Sequence, residues 1–261
     1  MMKRILRTSG SLILFLAFVL PACFDLSFAQ KAATAVAPGA LFYQANINYQ
    51  EGNFEAAIKD YNRLIGMGWE SGNLYYNLGN SYFKEGKLGL AVLSYDKAKS
   101  FIPNDSDLKS NYDYVLQRLK LEPRPFGGWI ERIVHVLFQG MTIDNLTFFL
   151  SILYMALIVL LISGLFSPRL KRYTGLASFV FVALFILSAY ALQMKINYLH
   201  KFAVVTVSQA DARFEPLDNA TVYFSLPEGS KVEVVEKAGD WCKIRRFDNK
   251  LAWIKQDVLA N

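Results

Sequence analysis

The chain is poor in the residues that catalysis and metal binding draw on. Its 261 residues include two cysteines, Cys23 and Cys242, and two histidines, His135 and His200. Two thiols cannot build a disulfide framework, a four-cysteine zinc site or a CxxC redox pair. A glycine-rich phosphate loop, a GxSxG nucleophile turn and an HExxH helix are missing, as is a paired-carboxylate constellation. The expectation is therefore a protein that is not an enzyme, with no cofactor and no metal. Large charge of one sign is also lacking, despite a net charge of +6. Residues 30–125 carry eleven bases and ten acids, and residues 200–261 carry nine of each. The surplus lies at Lys3, Arg4 and Arg7 and at Arg169, Lys171 and Arg172. A nucleic-acid-binding face is excluded, and bases grouped this way read as topology signals.

What the chain does have is long apolar runs. The start, MMKRILRTSGSLILFLAFVLPACFDLSFAQ, places a basic segment before an apolar stretch from Leu12 to Leu20 and ends at Ser27-Phe28-Ala29. This is the layout of a signal peptide, residues 1–29, cleaved before Gln30. LPAC at 20–23 also has the form of a lipobox, which would leave Cys23 as a lipidated N-terminus. Both routes export the next segment. Residues 146–166 and 174–194 contain no charged side chain over 21 positions each, which corresponds to roughly 31 Å of helix, a bilayer core. The bases of SPRLKRY between them mark 167–173 as a cytoplasmic loop. The pattern predicts a two-helix transmembrane hairpin, its spans in contact with membrane lipid and both flanking segments extracytoplasmic. Neither span carries an ionisable residue, so an ion or proton pathway is not expected.

Sliding the sequence by 34 residues superposes Ala45 on Gly79, Gly52 on Gly86, Phe54 on Leu88, Ala57 on Ala91, Tyr61 on Tyr95 and Leu64 on Ala98. Such a period marks a helix–turn–helix repeat. The second copy, 72–105, resembles the tetratricopeptide repeat through Tyr75, Leu78, Gly79, Tyr82, Ala91, Tyr95, Ala98 and Pro103. The first, about 38–71, is poorer, with Asn48 replacing an aromatic and Trp69 a proline. A linker at 30–38 would precede the repeat domain, 39–122, and a capping helix at 106–120 would close it. Gly79 is expected where the two helices of a repeat approach most closely, and Gly86 in the turn between them. The resemblance implies a groove lined by the first helix of each repeat: Phe42, Asn46, Tyr49, Tyr76, Asn77, Asn80, Phe83, Asn111, Tyr114 and Gln117. Rings beside amides suit a peptide with apolar anchors and backbone hydrogen bonds. Alternatively, each ring packs between neighbouring helices. Asn46 and Asn77 match asparagines of the carboxylate-clamp members, but Phe42 and Asp107 stand where those carry bases. Capture of an acidic C-terminus is thus not implied.

The segment 123–145 begins as a Pro/Gly linker and continues with apolar residues at 129/130, 133/134 and 137/138, one helical face. Two placements fit this juxtamembrane amphipathic helix: along the membrane surface or against the repeat domain. After the second span, KVEVVEK and WCKIRRF alternate as strands do. The stretch LPEGSKVEVVEKAGDWCKIRRFDNKLAWIKQDVL resembles the bacterial SH3-type domain, through Gly229, the Gly239-Asp240-Trp241 turn, Trp253-Ile254 and Val258-Leu259. Ala252 occupies a position usually held by glycine, which implies a local change of backbone. That resemblance covers 200–261 and makes Tyr223, Trp241, Arg245 and Trp253 candidate contacts for cell-wall peptide or protein. For Trp241 and Trp253 the competing reading is the barrel core, since a barrel this small has few other large residues to bury. Cys242 alternates to the face opposite Trp241.

The fold class expected is multidomain, α plus small β: a tetratricopeptide helical repeat domain, a transmembrane hairpin and an SH3-like β-barrel. This order resembles the BatE proteins of the Bacteroides aerotolerance operon over the whole mature chain. The resemblance implies a scaffold whose protein partners are Bat-type membrane proteins with von Willebrand A domains and a MoxR-type ATPase. The link to aerotolerance or envelope stress is one of genetic context, since nothing in these residues performs redox chemistry. The alternative function is cell-wall binding or sensing, with peptidoglycan as the partner of the barrel.

Overall fold

The computed structural model describes residues 37–121, 128–166 and 168–261. The expected leader at 1–29 with Cys23, most of the 30–38 linker, residues 122–127 and Ser167 lie outside the described residues. Five helices form the repeat module: α1 Pro38–Gln50, α2 Phe54–Gly66, α3 Gly72–Lys84, α4 Leu88–Phe101 and α5 Ser106–Arg118. Their ends are chemically set. The Ser71 hydroxyl accepts a hydrogen bond from the Leu74 amide at 3.2 Å and caps α3, and the Asp105 carboxylate accepts from the Leu108 amide at 2.8 Å and caps α5. Gly52 and Gly86 end α1 and α3 with φ of 81° and 74°, a left-handed turn that favours glycine. In both turns the next residue's amide reaches back five positions, Asn53 to the Asn48 carbonyl and Lys87 to that of Tyr82.

The close approach expected at Gly79 is present. A Cβ built there would stand 2.6 Å from two atoms of the Tyr95 ring, so α3 and α4 meet at a distance that only glycine allows. Around this contact lies one apolar cluster from Leu41 to Leu116, with Ala57, Tyr61, Leu64, Leu78, Ala91, Val92, Tyr95 and Val115 almost fully buried. Buried rings of the α2/α4 row therefore fill the gaps between helices.

Helix α6, Trp129–Phe138, precedes the two long helices α7, Ile143–Phe166, and α8, Pro168–Lys201. The stretches Ile143–Gly164 and Tyr173–Asn197 are long and apolar enough to cross a membrane. Only 11% of the apolar window of each is buried, which separates them from the core helices of a soluble domain. The two helices run antiparallel: Leu146 near the start of α7 shares a cluster with Ala191 near the end of α8, and Gly164 lies against Thr174 at the other end. The stretch 167–173, expected as a loop, is helical from Pro168 onward. Proline suits the first turn of a helix because its fixed φ fits and its missing N–H would have no partner there. Residues 129–142 and 202–261 thus leave the hairpin at the same end.

Helix α8 runs directly into β1, Phe202–Val205. Strands β2 Gln209–Arg213, β3 Val222–Pro227, β4 Lys231–Ala238, β5 Trp241–Arg245, β6 Leu251–Lys255 and β7 Leu259–Ala260 follow. They form an antiparallel sheet in the order β3-β2-β6-β5-β4-β1-β7. Ala203 and Val205 of β1 share one buried cluster with Leu226 of β3, at the other end of that order, so the sheet curls around a single core. Its period-two alternation is strict in β5 and β6, where Cys242, Ile244, Ala252 and Ile254 point inward. Ala252 pairs regularly with Ile244, so the local change implied by the absent glycine is not seen.

The barrel is seated on α4. Val204 of β1 is buried in the core cluster of the repeat module. Helix α4 begins at Lys87 without a side-chain cap of its own, and the Glu228 carboxylate accepts from the Gly89 amide at 2.6 Å. A Cβ on Gly89 would fall 2.5 Å from the Val205 carbonyl oxygen, so a glycine is required for this seating. Lys231 forms an ion pair with Asp96 of α4 and lies over the Tyr112 ring, 5.3 Å from its centre. The two modules are joined at the second helix of the second repeat and at the cap.

Candidate functional site

The residues expected to line the groove fall on α1, α3 and α5, and the structure brings them together. Two layers of contacts recur at the 34-residue period. In the first, the Tyr61 hydroxyl donates to Asn46 Oδ1 at 2.6 Å and Asn77 Nδ2 donates to the same oxygen at 2.9 Å. In the second, the Tyr95 hydroxyl donates to Asn80 Oδ1 at 2.7 Å and Asn111 Nδ2 donates to it at 3.0 Å. Each asparagine oxygen thus ties the buried tyrosine of its own repeat to an asparagine of the next element. Burial, opposed by the Asn77 hydrogen bond, pushes the Tyr61 hydroxyl up to about 12, and burial raises Tyr95 further. Both remain donors at physiological pH.

The rings of the proposed lining divide into two sorts. Phe42 lies 6.0 Å from Tyr61 and Tyr76 lies 6.1 Å from Tyr95, both half-buried against the core. Tyr76 also accepts from Asn111 Nδ2 at 2.9 Å. Tyr49 sits edge-on to Phe54, and burial together with the nearby Tyr76 raises its hydroxyl. These rings take the packed alternative. Phe83 and Tyr114 differ: they meet edge to face at 5.7 Å, with the Arg118 guanidinium over Phe83 and Tyr114 57% exposed. Gln117 is exposed beside them. The amide NH2 groups of Asn46 and Asn80 have no partner among the described residues and remain available as donors.

On the barrel the four expected residues do not form one site. Trp241 and Trp253 are on the outer face, opposite Cys242, Ile244, Ala252 and Ile254, so the core reading of these tryptophans is overturned. The physical reason is volume: the small interior is already filled by Val205, Leu226, Val232, Ile244 and Ile254 with four alanines and Cys242. Across the β5–β6 ladder Trp241 faces Lys255 and Lys243 faces Trp253. Each lysine lies over the other strand's indole, at 5.7 and 5.5 Å from the ring centre. Arg245 is held in an ion pair with Glu233 at 2.9 Å. Tyr223 belongs to a second group, with its ring centre 4.4 Å from that of Phe214 and tilted by 30°, 5.2 Å from Phe224 and beneath Lys250, with Arg246 4.3 Å over Phe224. Phe214, Phe224, Arg246 and Lys250 were not among the expected contacts. Phe224 stands on β3, whereas Phe214 lies just after β2 and Arg246 and Lys250 lie between β5 and β6, and no local pattern links the three segments. The tyrosine–asparagine layers, in contrast, follow from the same 34-residue shift, which also places Asn46 on Asn80 and Asn77 on Asn111.

The Cys242 thiol is buried in the barrel core and pushed up by that burial, so it is a packing residue rather than a nucleophile. Among the described residues no group of histidines, cysteines and carboxylates is arranged to hold a metal.

Comparison with protein families agrees with this architecture. A tetratricopeptide-repeat family matches residues 26–72 and 44–106, and the bacterial SH3 domain family matches residues 208–260. None of the curated proteins matches the chain. Both families are interaction modules. The chain therefore joins a tetratricopeptide-repeat module to a bacterial SH3 domain through two apolar, membrane-type helices.

Proposed function

We propose that this protein is a non-enzymatic membrane scaffold whose repeat module captures a segment of a partner protein. The observation that carries this reading is where the barrel sits. Among the described residues it meets α4 and the cap through Val204, Glu228 and Lys231, while Tyr114 on the α1–α3–α5 face stays 57% exposed. On that face Phe83 and Tyr114 offer an apolar anchor point, while Asn46 and Asn80 offer donors to a bound backbone. The Arg169, Lys171 and Arg172 cluster favours a cytoplasmic position for the turn of the hairpin, with both modules outside the cytoplasm. The resemblance to BatE proteins names the partners: Bat-type membrane proteins with von Willebrand A domains and a MoxR-type ATPase complex in envelope stress or aerotolerance.

The test is a double substitution, Phe83→Ala with Tyr114→Ala, in the full chain. Recovery of partners cross-linked in native membranes should fall about tenfold, as expected for loss of an aromatic hot spot, with helix content unchanged. Undiminished recovery would refute the groove. Reporter fusions at residues 110 and 230 test sidedness, and a cytoplasmic signal from either removes the proposed topology.

A second reading has its own observation, the half-buried Trp241–Lys255 and Lys243–Trp253 pairs on the outer face of the barrel. Flat indoles beside ammonium groups suit glycan rings and peptide carboxylates, which are the chemistry of peptidoglycan. Retention of the intact protein on purified sacculi, and its loss in Trp241→Ala with Trp253→Ala, would favour this reading over the first.

A further inference from the structure

We propose that helix α6 is a lipid-surface anchor, its exposed apolar face seated at the headgroup–acyl boundary of the membrane that α7 and α8 cross, so that the repeat–barrel body is held at a fixed height above the bilayer. The inference rests on the membrane reading of α7 and α8. At 3.6 residues per turn, Val136, Trp129, Ile133, Leu137 and Ile130 sweep roughly 120° of the helix surface. All five are exposed, Trp129 at 73% and Val136 at 64%. The neighbouring arc, Val134 and Phe138, is packed with Leu146, Leu187, Ala191 and Met194 of the hairpin. The remaining arc carries Arg132 and His135. The helix therefore has one apolar edge against the hairpin, one apolar face exposed among the described residues, and a polar side.

What covers the free face follows from its position. Val134 is 2% exposed, and its partners Leu146 and Ala191 stand at the ends of the two apolar stretches, so α6 is level with the point where those stretches stop. The Tyr190 hydroxyl donates to the Glu131 carboxylate at 3.2 Å, which fixes the helix alongside α8 at that level. Just beyond that level the spans expose Phe148, Ile152 and Ile186, the start of an apolar wall of their own. A protein partner would have to meet that wall as well, whereas the lipid that surrounds the spans already reaches α6. On the polar side the charges of Lys99 and Lys195 bear on His135, whose proton affinity is lowered by burial and then by these two cations. Cations at this depth complement anionic headgroups. Just past the helix, Asn104 of the repeat module donates to the Gly140 carbonyl at 3.0 Å, so the anchor is tied directly to the module that it would hold.

Site-directed spin labelling of the full chain in vesicles of phosphatidylcholine and phosphatidylglycerol tests the proposal. The background carries Cys23→Ser and keeps Cys242, which is buried. Labels are placed through Ile133→Cys, Leu137→Cys, Arg132→Cys, Tyr43→Cys and Val159→Cys, one at a time. At 133 and 137, collisions with oxygen should dominate and collisions with aqueous Ni-EDDA should fall about tenfold relative to 43, as for a face buried 5–10 Å in the interface. The depth should be shallower than at 159, and 132 should report water. Water-like values at 133 and 137 with 159 in lipid would overturn the anchor alone, while a water-like 159 would overturn the two-span reading with it. Protection that disappears on dilution to one chain per vesicle would assign the face to a second copy and overturn the proposal.

Discussion

In the repeat module Tyr61 and Tyr95 are enclosed between helices, whereas in the barrel Trp241, Trp253, Phe214 and Tyr223 stay outside a core of alanine, valine, isoleucine and cysteine. The difference follows from the space each architecture leaves. Packed helices are separated by 8–10 Å, and where small residues stand, as at Ala45 and Gly79, a whole ring fits into the gap. A short curled sheet leaves an interior that alanine and isoleucine already fill. A buried tyrosine then needs a partner for its hydroxyl, which the repeat supplies from Asn46 and Asn80. An outer indole needs none and is instead paired with lysine. Aromatic content thus reports the core in one module and a surface in the other.

The sharpest way to break this comparison is to remove the space. Gly79→Leu would drive a side chain into the Tyr95 ring, which is 1% exposed and cannot withdraw. The expected loss is about 3 kcal/mol, at the upper end of overpacking effects. It should be visible as a lower thermal midpoint of the full chain in detergent and as faster amide exchange across α3 and α4. An unchanged midpoint would mean that the close approach does not support the module. Next in size is removal of the partner. Asn80→Ala leaves the Tyr95 hydroxyl buried without its acceptor, expected to cost about 1–3 kcal/mol. Adding Tyr95→Phe should recover part of that loss, because the orphaned hydroxyl goes with it. A double-mutant cycle in which the two losses simply add would show that the pair is not coupled.

How far the sequence discloses this structure depends on whether a feature has a period. The 34-residue shift aligns Gly52 with Gly86 and Tyr61 with Tyr95, and in the structure both glycines turn the chain at positive φ and both rings are buried. The hydrogen bonds between Asn46 and Asn77 and between Asn80 and Asn111 join different helices, so only the shift, and no local motif, points to them. In the barrel, alternation separates Trp241 from Cys242 but does not say which of them faces inward. Interior volume decides that, and volume is a property of the closed sheet, not of one strand. The helical start of α8 was hidden for a related reason. Hydropathy marks where apolar residues end, at 174, but Pro168 opens the helix six residues earlier.

Two smaller effects probe the seam between the modules and the outer face. Asp96→Lys replaces the ion pair with a like-charge contact to Lys231 at a site where both side chains are less than 20% exposed. Loss of the charged hydrogen bond is expected to weaken the seating by about 1–2 kcal/mol. Faster exchange at the amides of Val204 and Val205 would report it. Exchanging the charges, Asp96→Lys with Lys231→Asp, should restore protection, and failure to do so would show that Asp96 acts instead through the Tyr112 hydroxyl, which donates to its carboxylate at 3.3 Å.

Trp253→Ala closes the series, because the comparison assigns this ring little structural work. Its indole is half-buried, its strand neighbours Ala252 and Ile254 make the core contacts, and Lys243 above it can swing into water. The expected loss is below about 1 kcal/mol, far less than the 3–5 kcal/mol typical of a tryptophan removed from a core. A loss in that larger range would place Trp253 among the structural rings and erase the distinction between the two modules. A small loss combined with release from sacculi would instead locate the binding surface of the barrel at the indole that its interior has no room to hold.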